Sequence, residues 1–188
     1  KDYTGIRNLT ITGELDAATL DISGDIDVDG TSNLDVIDVD GAANFAADVT
    51  FANGADIITA SAGTSNFRAG VNAGNSIASG GNYNVVVGDE AGTALTTGDD
   101  NVAVGFEALS TEDTGTRSVA VGYRALKVQN NDSTNYNVAV GYDAGVSVTT
   151  GVNNTLIGGL AGDALTTAAN ATAVGYLALS ADTAGYNV

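Results

Sequence analysis

NVAVGFEAL, residues Asn101–Leu109, is one copy of a unit that recurs to the last residue of the chain. Places in the unit are counted from this first Asn. The other copies begin at Asn66, Asn84, Ser118, Asn137, Asn154 and Ala171, and a last one is cut short at Asn187-Val188. Successive starts lie 18, 17, 17, 19, 17, 17 and 16 residues apart. A fixed short period is typical of stacked supersecondary units, so the sequence predicts a solenoid.

Two places hold the same residue in every complete copy: the fifth is Gly and the eighth is Ala. Glycine permits a positive φ or the close approach of another backbone, and an invariant Ala indicates a crowded, buried position. We expect these residues to have structural roles. The structural repeat positions are Gly70, Gly88, Gly105, Gly122, Gly141, Gly158 and Gly175, with Ala73, Ala91, Ala108, Ala125, Ala144, Ala161 and Ala178.

Val102–Val104 predicts the strand of the unit, because Val is a strand former and alternation puts both Val on one face. We expect this Val face to be the dry interior. The small third place would then pack on another subunit (Ala103, Ala120, Ala139 and Ala173, with larger Val86 and Leu156). Seventeen residues hold two short strands and two turns, but no crossover helix. The predicted fold is all-β, a β-solenoid or β-roll over residues 66–188.

Residues 1–65 form a different region, which we interpret as an Asp-rich shaft of short β-strands. Runs such as Leu9–Ile11, Leu20–Ile22 and Ile26–Val28 alternate apolar residues with Asp or Thr, and glycines follow them. Twelve of the 23 acidic residues lie in this region. The predicted boundary with the roll is near Ser61–Ser65.

Composition argues against several classes of function. The net charge is −17, with 6 basic residues, and nucleic acids and anionic membranes require basic clusters. No apolar run approaches the length of a membrane span, so we expect no membrane insertion. The chain has no Cys and no His, which removes the commonest catalytic groups, and we expect no cofactor. It also has no Met and a shortened last copy, which predicts that it is part of a longer protein.

Acidic clusters suggest two kinds of chemistry, each with a simpler explanation. Asp25–Gly30 opens like a calcium loop, but its twelfth position is Val36, where a bidentate Glu is required. The same pattern recurs at Asp38–Gly41 with the local repeat, which favours a solvated acidic face of a strand. Adjacent carboxylates could serve a glycosidase, but on a corner both face water. We therefore expect no metal site, no catalytic residue and solvated turns at Asp89-Glu90, Asp99-Asp100 and Glu112-Asp113.

Aromatic side chains follow the repeat glycine in four copies, at Phe106, Tyr123, Tyr142 and Tyr176. They could form an exposed ladder that stacks on sugars. We favour the alternative, in which they cover the seam between coils.

The copy that begins at Ser118 departs most from the others. Positive charge gathers in and just before it, at Arg117, Arg124 and Lys127, which predicts ion pairs between subunits rather than a ligand site. The longer segment Gln129–Tyr136 is the one internal candidate for a receptor-binding loop.

The pattern N-[TV]-A-V-G-Y-x-A-L-x-x-x-T-T-G-x-N over residues 66–188 resembles repeats of bacteriophage tail-fibre proteins. It is also similar to the head repeats of trimeric autotransporter adhesins. The resemblance implies a homotrimeric left-handed β-roll in a virion fibre that takes part in host attachment. Its implied partners are further copies of the chain, other virion tail or fibre proteins, and a host-surface glycan or protein bound by a region outside this segment.

Two alternatives to the phage fibre stay open at the level of sequence. A bacterial trimeric adhesin or extracellular filament would share the repeats, but units of 17 residues are longer than the common adhesin-head unit. A tailspike-like polysaccharide depolymerase requires a carboxylate pair in a groove that interrupts the repeat. No insertion is long enough to build one. We therefore expect a structural protein and not an enzyme.

Overall fold

The computed structural model describes Ala43, Thr59 and residues 61–183. Within them the secondary structure is entirely β, and no helix there could span a membrane. Seven parallel strands form one sheet in sequence order, which confirms the predicted β-solenoid. The strands are β1 (Phe67–Ala69), β2 (Val85–Val87), β3 (Val102–Val104), β4 (Val119–Val121), β5 (Val138–Val140), β6 (Thr155–Ile157) and β7 (Thr172–Val174). We number the coils, one per copy of the unit, by these strands.

Of the predicted Asp-rich shaft, residues 1–65, the Asp-rich strands and the Asp25–Gly30 loop lie outside the described residues, as does Asn187-Val188. At the start of the roll, the Thr59 hydroxyl accepts a hydrogen bond from the Arg68 backbone N–H at 3.0 Å.

Equivalent residues pair along the whole sheet. Ala103 pairs with Val86 on one side and with Ala120 on the other. The next step pairs Ala120 with Ala139, although the copy that begins at Ser118 is two residues longer than its neighbours. The extra length is therefore accommodated outside the strands, and equivalent places of the strands form columns along the solenoid.

The two faces of each strand are the reverse of our prediction. Side chains at the third place are buried in coils 2 to 7, where for example Ala103 and Leu156 are 0% exposed, and only Arg68 of coil 1 is half-buried. The flanking Val102 and Val104 are half-buried and point outward. Alternation separates two unlike faces, but the width of the coil decides which one is inside. Four of the seven coils have Ala at this place, while Val86 and Leu156 are buried there in coils 2 and 6.

The predicted second strand does not form in the described coils. The eighth-place Ala108 lies in a turn, where its N–H donates to the Gly105 carbonyl at 3.3 Å. Glu107 and Leu109 on either side have φ of 50° and 53°, which breaks an extended run. Ala108 itself is fully buried.

The rest of the interior is filled from either the ninth or the twelfth place. Coil 2 has Gly92 at the ninth place and the buried Leu95 at the twelfth. A Cβ on Gly92 would lie 2.8 Å from the Leu95 Cδ1, so the two side chains compete for one volume. In coil 3 the arrangement is exchanged: Leu109 is buried at the ninth place, and a polar residue, Glu112, follows at the twelfth.

Candidate functional site

Aromatic side chains at the sixth place form a stacked ladder on the surface of coils 3 to 5. The ring centroids of Phe106 and Tyr123 are 5.3 Å apart, with 14° between the ring planes. Those of Tyr123 and Tyr142 are 5.1 Å apart, with 5° between the planes. This spacing follows the separation of about 4.8 Å between paired strands. The rings cover the junctions between successive coils and stay 39–56% exposed, so the ladder combines features of both predicted arrangements.

The ladder is interrupted in coil 6, where Gly159 takes the sixth place. Tyr176 resumes it in coil 7 and is 74% exposed. Coils 1 and 2 carry Val71 and Asp89 at this place.

A cluster of charged side chains flanks the ladder. Arg124 donates from Nε to Asp143 Oδ1 at 2.8 Å and from its terminal nitrogen to Asp143 Oδ2 at 2.6 Å. These hydrogen bonds raise the pKa of the Arg124 guanidinium above its ordinary value. The guanidinium carbon also lies 5.1 Å from the centre of the Tyr123 ring. The pair therefore ties coil 4 to coil 5 directly beside the aromatic stack.

The two basic residues nearest to this pair in the sequence also find partners in neighbouring coils. Lys127 contacts Glu107 at 2.6 Å, and Arg117 contacts Asp100 at 3.5 Å. Each of these cations has a carboxylate partner within the chain, and ion pairs between subunits stay a prediction. Parallel in-register stacking brings residues about 17 positions apart within reach of one another, and this supplies each cation with a carboxylate of its own chain.

The adjacent carboxylates have separate roles, and one prediction about them is wrong. Glu112 is 0% exposed, whereas a solvated turn was expected. Its Oε1 accepts from the Gly115 N–H at 2.8 Å, and its Oε2 accepts from Gln129 Nε2 at 2.9 Å and from Asn135 Nδ2 at 3.1 Å. In this coil the ninth-place leucine fills the apolar interior, so the twelfth place lies under the corner among polar groups. Glu112 is therefore buried there.

The remaining carboxylates lie nearer the surface. Asp89 and Asp100 are exposed, while Glu90 accepts from Asn72 Nδ2 at 2.6 Å and Asp99 accepts from the Asn82 N–H at 2.6 Å. Within the described part of the chain, no group of three or more His, Cys, Asp or Glu is placed to hold a metal.

The feature that sequence analysis missed is a buried ladder of first-place asparagines. The Asn101 N–H donates to Asn84 Oδ1 at 2.9 Å, and Asn101 Nδ2 donates to the Gly115 carbonyl at 2.9 Å. The Nδ2 group of each such asparagine thus bonds to a carbonyl of its own coil, and its Oδ1 accepts a hydrogen bond from the backbone N–H of the next coil. The same bonds recur at Asn66, Asn84, Asn137 and Asn154.

The longer segment Gln129–Tyr136 is partly interior. Gln129 and Asn135 are buried, whereas Asp132 and Tyr136 are exposed. The Asp132 carboxylate accepts from the Thr114 hydroxyl at 2.9 Å, and the Tyr136 ring centre lies 5.8 Å from the Arg117 guanidinium carbon. These contacts hold the segment against the neighbouring coil, and its role in receptor binding stays a prediction.

Comparison of the chain with protein-family models, with curated proteins and with solved structures gives no match in any of the three. Function must therefore be argued from the repeat, the coil geometry and the surfaces just described.

Proposed function

We propose that this chain is a structural component of a bacteriophage tail fibre, in which it acts as a stiff homotrimeric spacer in host attachment. The observation that carries the proposal is the unbroken column of seven strands, with the same register at every step. Six steps of about 4.8 Å extend the body by roughly 30 Å. A uniform body of this kind provides reach and stiffness, and its surface differs little from one coil to the next.

The outward side chains of the strands support the trimer. In coils 2 to 7, Val102, Val104 and their equivalents form a continuous stripe of β-branched side chains, mostly Val, among them Val85 at 37% exposed and Ile157 at 39%. An apolar stripe of this length is uncommon on a monomer and is typical of an interface. In this proposal the Val stripes, and not the Ala positions, meet between three copies. The charge of −17 per chain opposes association, so burial of the apolar stripe must supply the free energy.

Light scattering on the protein tests the assembly and should give three chain masses. Val121→Asp on the stripe should lower the mass while circular dichroism still reports β-structure. The matched variant Ala120→Asp, one residue away on the buried face, should unfold the roll itself. A folded wild-type monomer, or a Val121→Asp variant that stays trimeric, contradicts the proposed interface.

Immunogold labelling tests the cellular role. Antibodies raised against the protein should label the fibres of purified virions. Labelling of bacterial surfaces in the absence of virions would instead favour the adhesin or surface filament. We propose no depolymerase activity, and release of reducing sugar from host polysaccharide by the purified protein would contradict that.

Competition for adsorption tests the spacer role. In this proposal the receptor-binding groups lie outside residues 66–188. The purified segment should then fail to block adsorption of the virion to host cells. If it blocks adsorption, and deletion of residues 130–133 abolishes the block, the roll itself binds the receptor.

A further inference from the structure

The aromatic ladder lacks one rung. Gly159 stands at the sixth place between Tyr142 of coil 5 and Tyr176 of coil 7. Neighbouring rungs elsewhere in the ladder are stacked rings with centroids 5.3 Å and 5.1 Å apart. Two coil steps of about 4.8 Å separate Tyr142 from Tyr176, which leaves their centres roughly 10 Å apart. We call this space the Gly159 slot, and it has the thickness of one further ring.

The backbone does not require glycine at this place. The φ of Gly159 lies outside the left-handed region, and a Cβ there would meet the Tyr176 Cδ2 at 3.5 Å, an ordinary van der Waals contact. The preceding Gly158 differs: its φ is 132°, and a side chain on it would collide with the carbonyl of Gly175. Residue 159 therefore has room for a Cβ, in ordinary contact with the Tyr176 ring.

Both walls of the slot are open to solvent. Tyr142, which has a ring on one side only, is 56% exposed, compared with 41% for Tyr123, which has a ring on each side, and Tyr176 in the last described coil is 74% exposed. The chemistry of the seventh place also changes here. Coils 6 and 7 carry Leu160 and Leu177, where coils 3 to 5 carry Glu107, Arg124 and Asp143. The slot thus joins two free aromatic faces with an apolar flank.

We propose that the Gly159 slot binds one pyranose ring of a neutral carbohydrate. A pyranose presents C–H groups on its two faces and hydroxyls around its edge. Its faces can therefore pack on Tyr142 and Tyr176 while its hydroxyls remain in water. A puckered saturated ring is thicker than a planar aromatic one and fills a spacing of about 10 Å better. The charge of −17 favours neutral hexoses over anionic sugars. This site goes beyond the spacer role, and its geometry does not depend on which particle carries the chain.

Nuclear magnetic resonance of the 188-residue protein with ¹³C-labelled tyrosine rings tests the site. The probes are methyl β-D-glucopyranoside and methyl β-D-galactopyranoside. We expect saturable shifts of the Tyr142 and Tyr176 signals with a dissociation constant on the order of millimolar, while the distant Tyr83 signal does not move. Gly159→Tyr fills the slot and should abolish binding. Tyr176→Ala should weaken binding about tenfold, and the control Tyr83→Ala should leave it unchanged.

Four results would overturn the proposal. The first is binding that survives Gly159→Tyr, and the second is the absence of saturable shifts at sugar concentrations that leave Tyr83 undisturbed. The third is tighter binding of p-cresol than of either glycoside with the same dependence on Gly159, since the slot would then be a socket for aromatic side chains. The fourth is a lower assembled mass of Gly159→Tyr in light scattering, which would show that a second copy of the chain occupies the slot.

Discussion

Gln129 Nε2 donates a hydrogen bond to the Ser118 hydroxyl at 2.8 Å, at the place where the asparagine ladder lacks an asparagine. In coil 3, Asn101 reaches the backbone carbonyl at the corner of its own coil. A serine side chain is too short to make the equivalent contact in coil 4. Gln129 spans the gap: its Oε1 accepts from Asn137 Nδ2 at 2.8 Å, and its Nε2 also donates to Glu112. One long side chain thus connects the two halves of the ladder.

Gln129→Ala should therefore destabilise the roll more than its surroundings suggest. The change removes one hydrogen bond from each of the buried polar groups of Glu112, Ser118 and Asn137, at about 0.5–3 kcal/mol for each lost bond. The free energy of unfolding, measured by denaturant titration, should fall by several kcal/mol. The exposed neighbour provides the control, and Asn130→Ala should be close to neutral. Equal losses for the two variants would show that the Gln129 bridge contributes little.

The repeat predicted the solenoid because in-register stacking follows directly from a constant period. It did not predict whether Val104 points into the roll or outward, since alternation alone carries no information about the width of the coil. The fifth-place glycines were found because only glycine fits a turn of that kind. The buried Gln129 could not be found, because its partners become neighbours only once coils 3, 4 and 5 are stacked. The coincidence of a missing Asn at residue 118 with a two-residue insertion was the only signal in the sequence.

The sequence predicted a column of aromatic residues, but it did not predict a binding space at the position where the column lacks a ring. Glycine at residue 159 reads in sequence as one more flexible position. The structure shows that its backbone is unstrained and that a Cβ there would make only ordinary contact with the Tyr176 ring.

The Arg124–Asp143 pair should contribute more to stability than the Arg117–Asp100 pair. Asp143 has a side-chain exposure of 6% and accepts two hydrogen bonds from Arg124, whereas the side chains of Arg117 and Asp100 are 49% and 42% exposed. Arg124→Met should lower the melting temperature by roughly 2–6 °C, because it leaves a buried carboxylate without its cation. Arg117→Met should change it little, as is usual for exposed pairs. A larger effect of Arg117→Met in differential scanning calorimetry would contradict this order.

Gly122 and Gly159 form a matched pair that tests the fifth-place column. Gly122 has a φ of 137°, and a Cβ on it would collide with the carbonyl oxygen of Gly141 in the next coil. Gly122→Ala should cost about 1–3 kcal/mol from backbone strain, and more from the forced separation of coils. Gly159→Ala meets neither obstacle and should be neutral or slightly stabilising. Thermal unfolding of the two variants under identical conditions distinguishes them, and similar losses would show that the column is not needed for close stacking.

The exchange between the ninth and twelfth places predicts a coupled pair. Gly92→Leu should overpack coil 2, because the new side chain enters the volume occupied by Leu95 and approaches Val86 Cγ1, which lies 3.1 Å from the Cβ position. The expected cost is about 1–3 kcal/mol. Leu95→Ala alone should cost about 2–5 kcal/mol through the cavity that it leaves.

Together, Gly92→Leu and Leu95→Ala should cost less than the sum of the two changes, since the leucine moves from the twelfth place to the ninth, as in Leu109 of coil 3. A double-mutant cycle of unfolding free energies should give a favourable coupling of at least about 1 kcal/mol. The control cycle pairs Gly92→Leu with Leu165→Ala in coil 6, which is also fully buried but distant, and should be additive. Additivity in both cycles would show that the two places do not share one volume, and that the alternation of Gly and Leu at the ninth place has another cause.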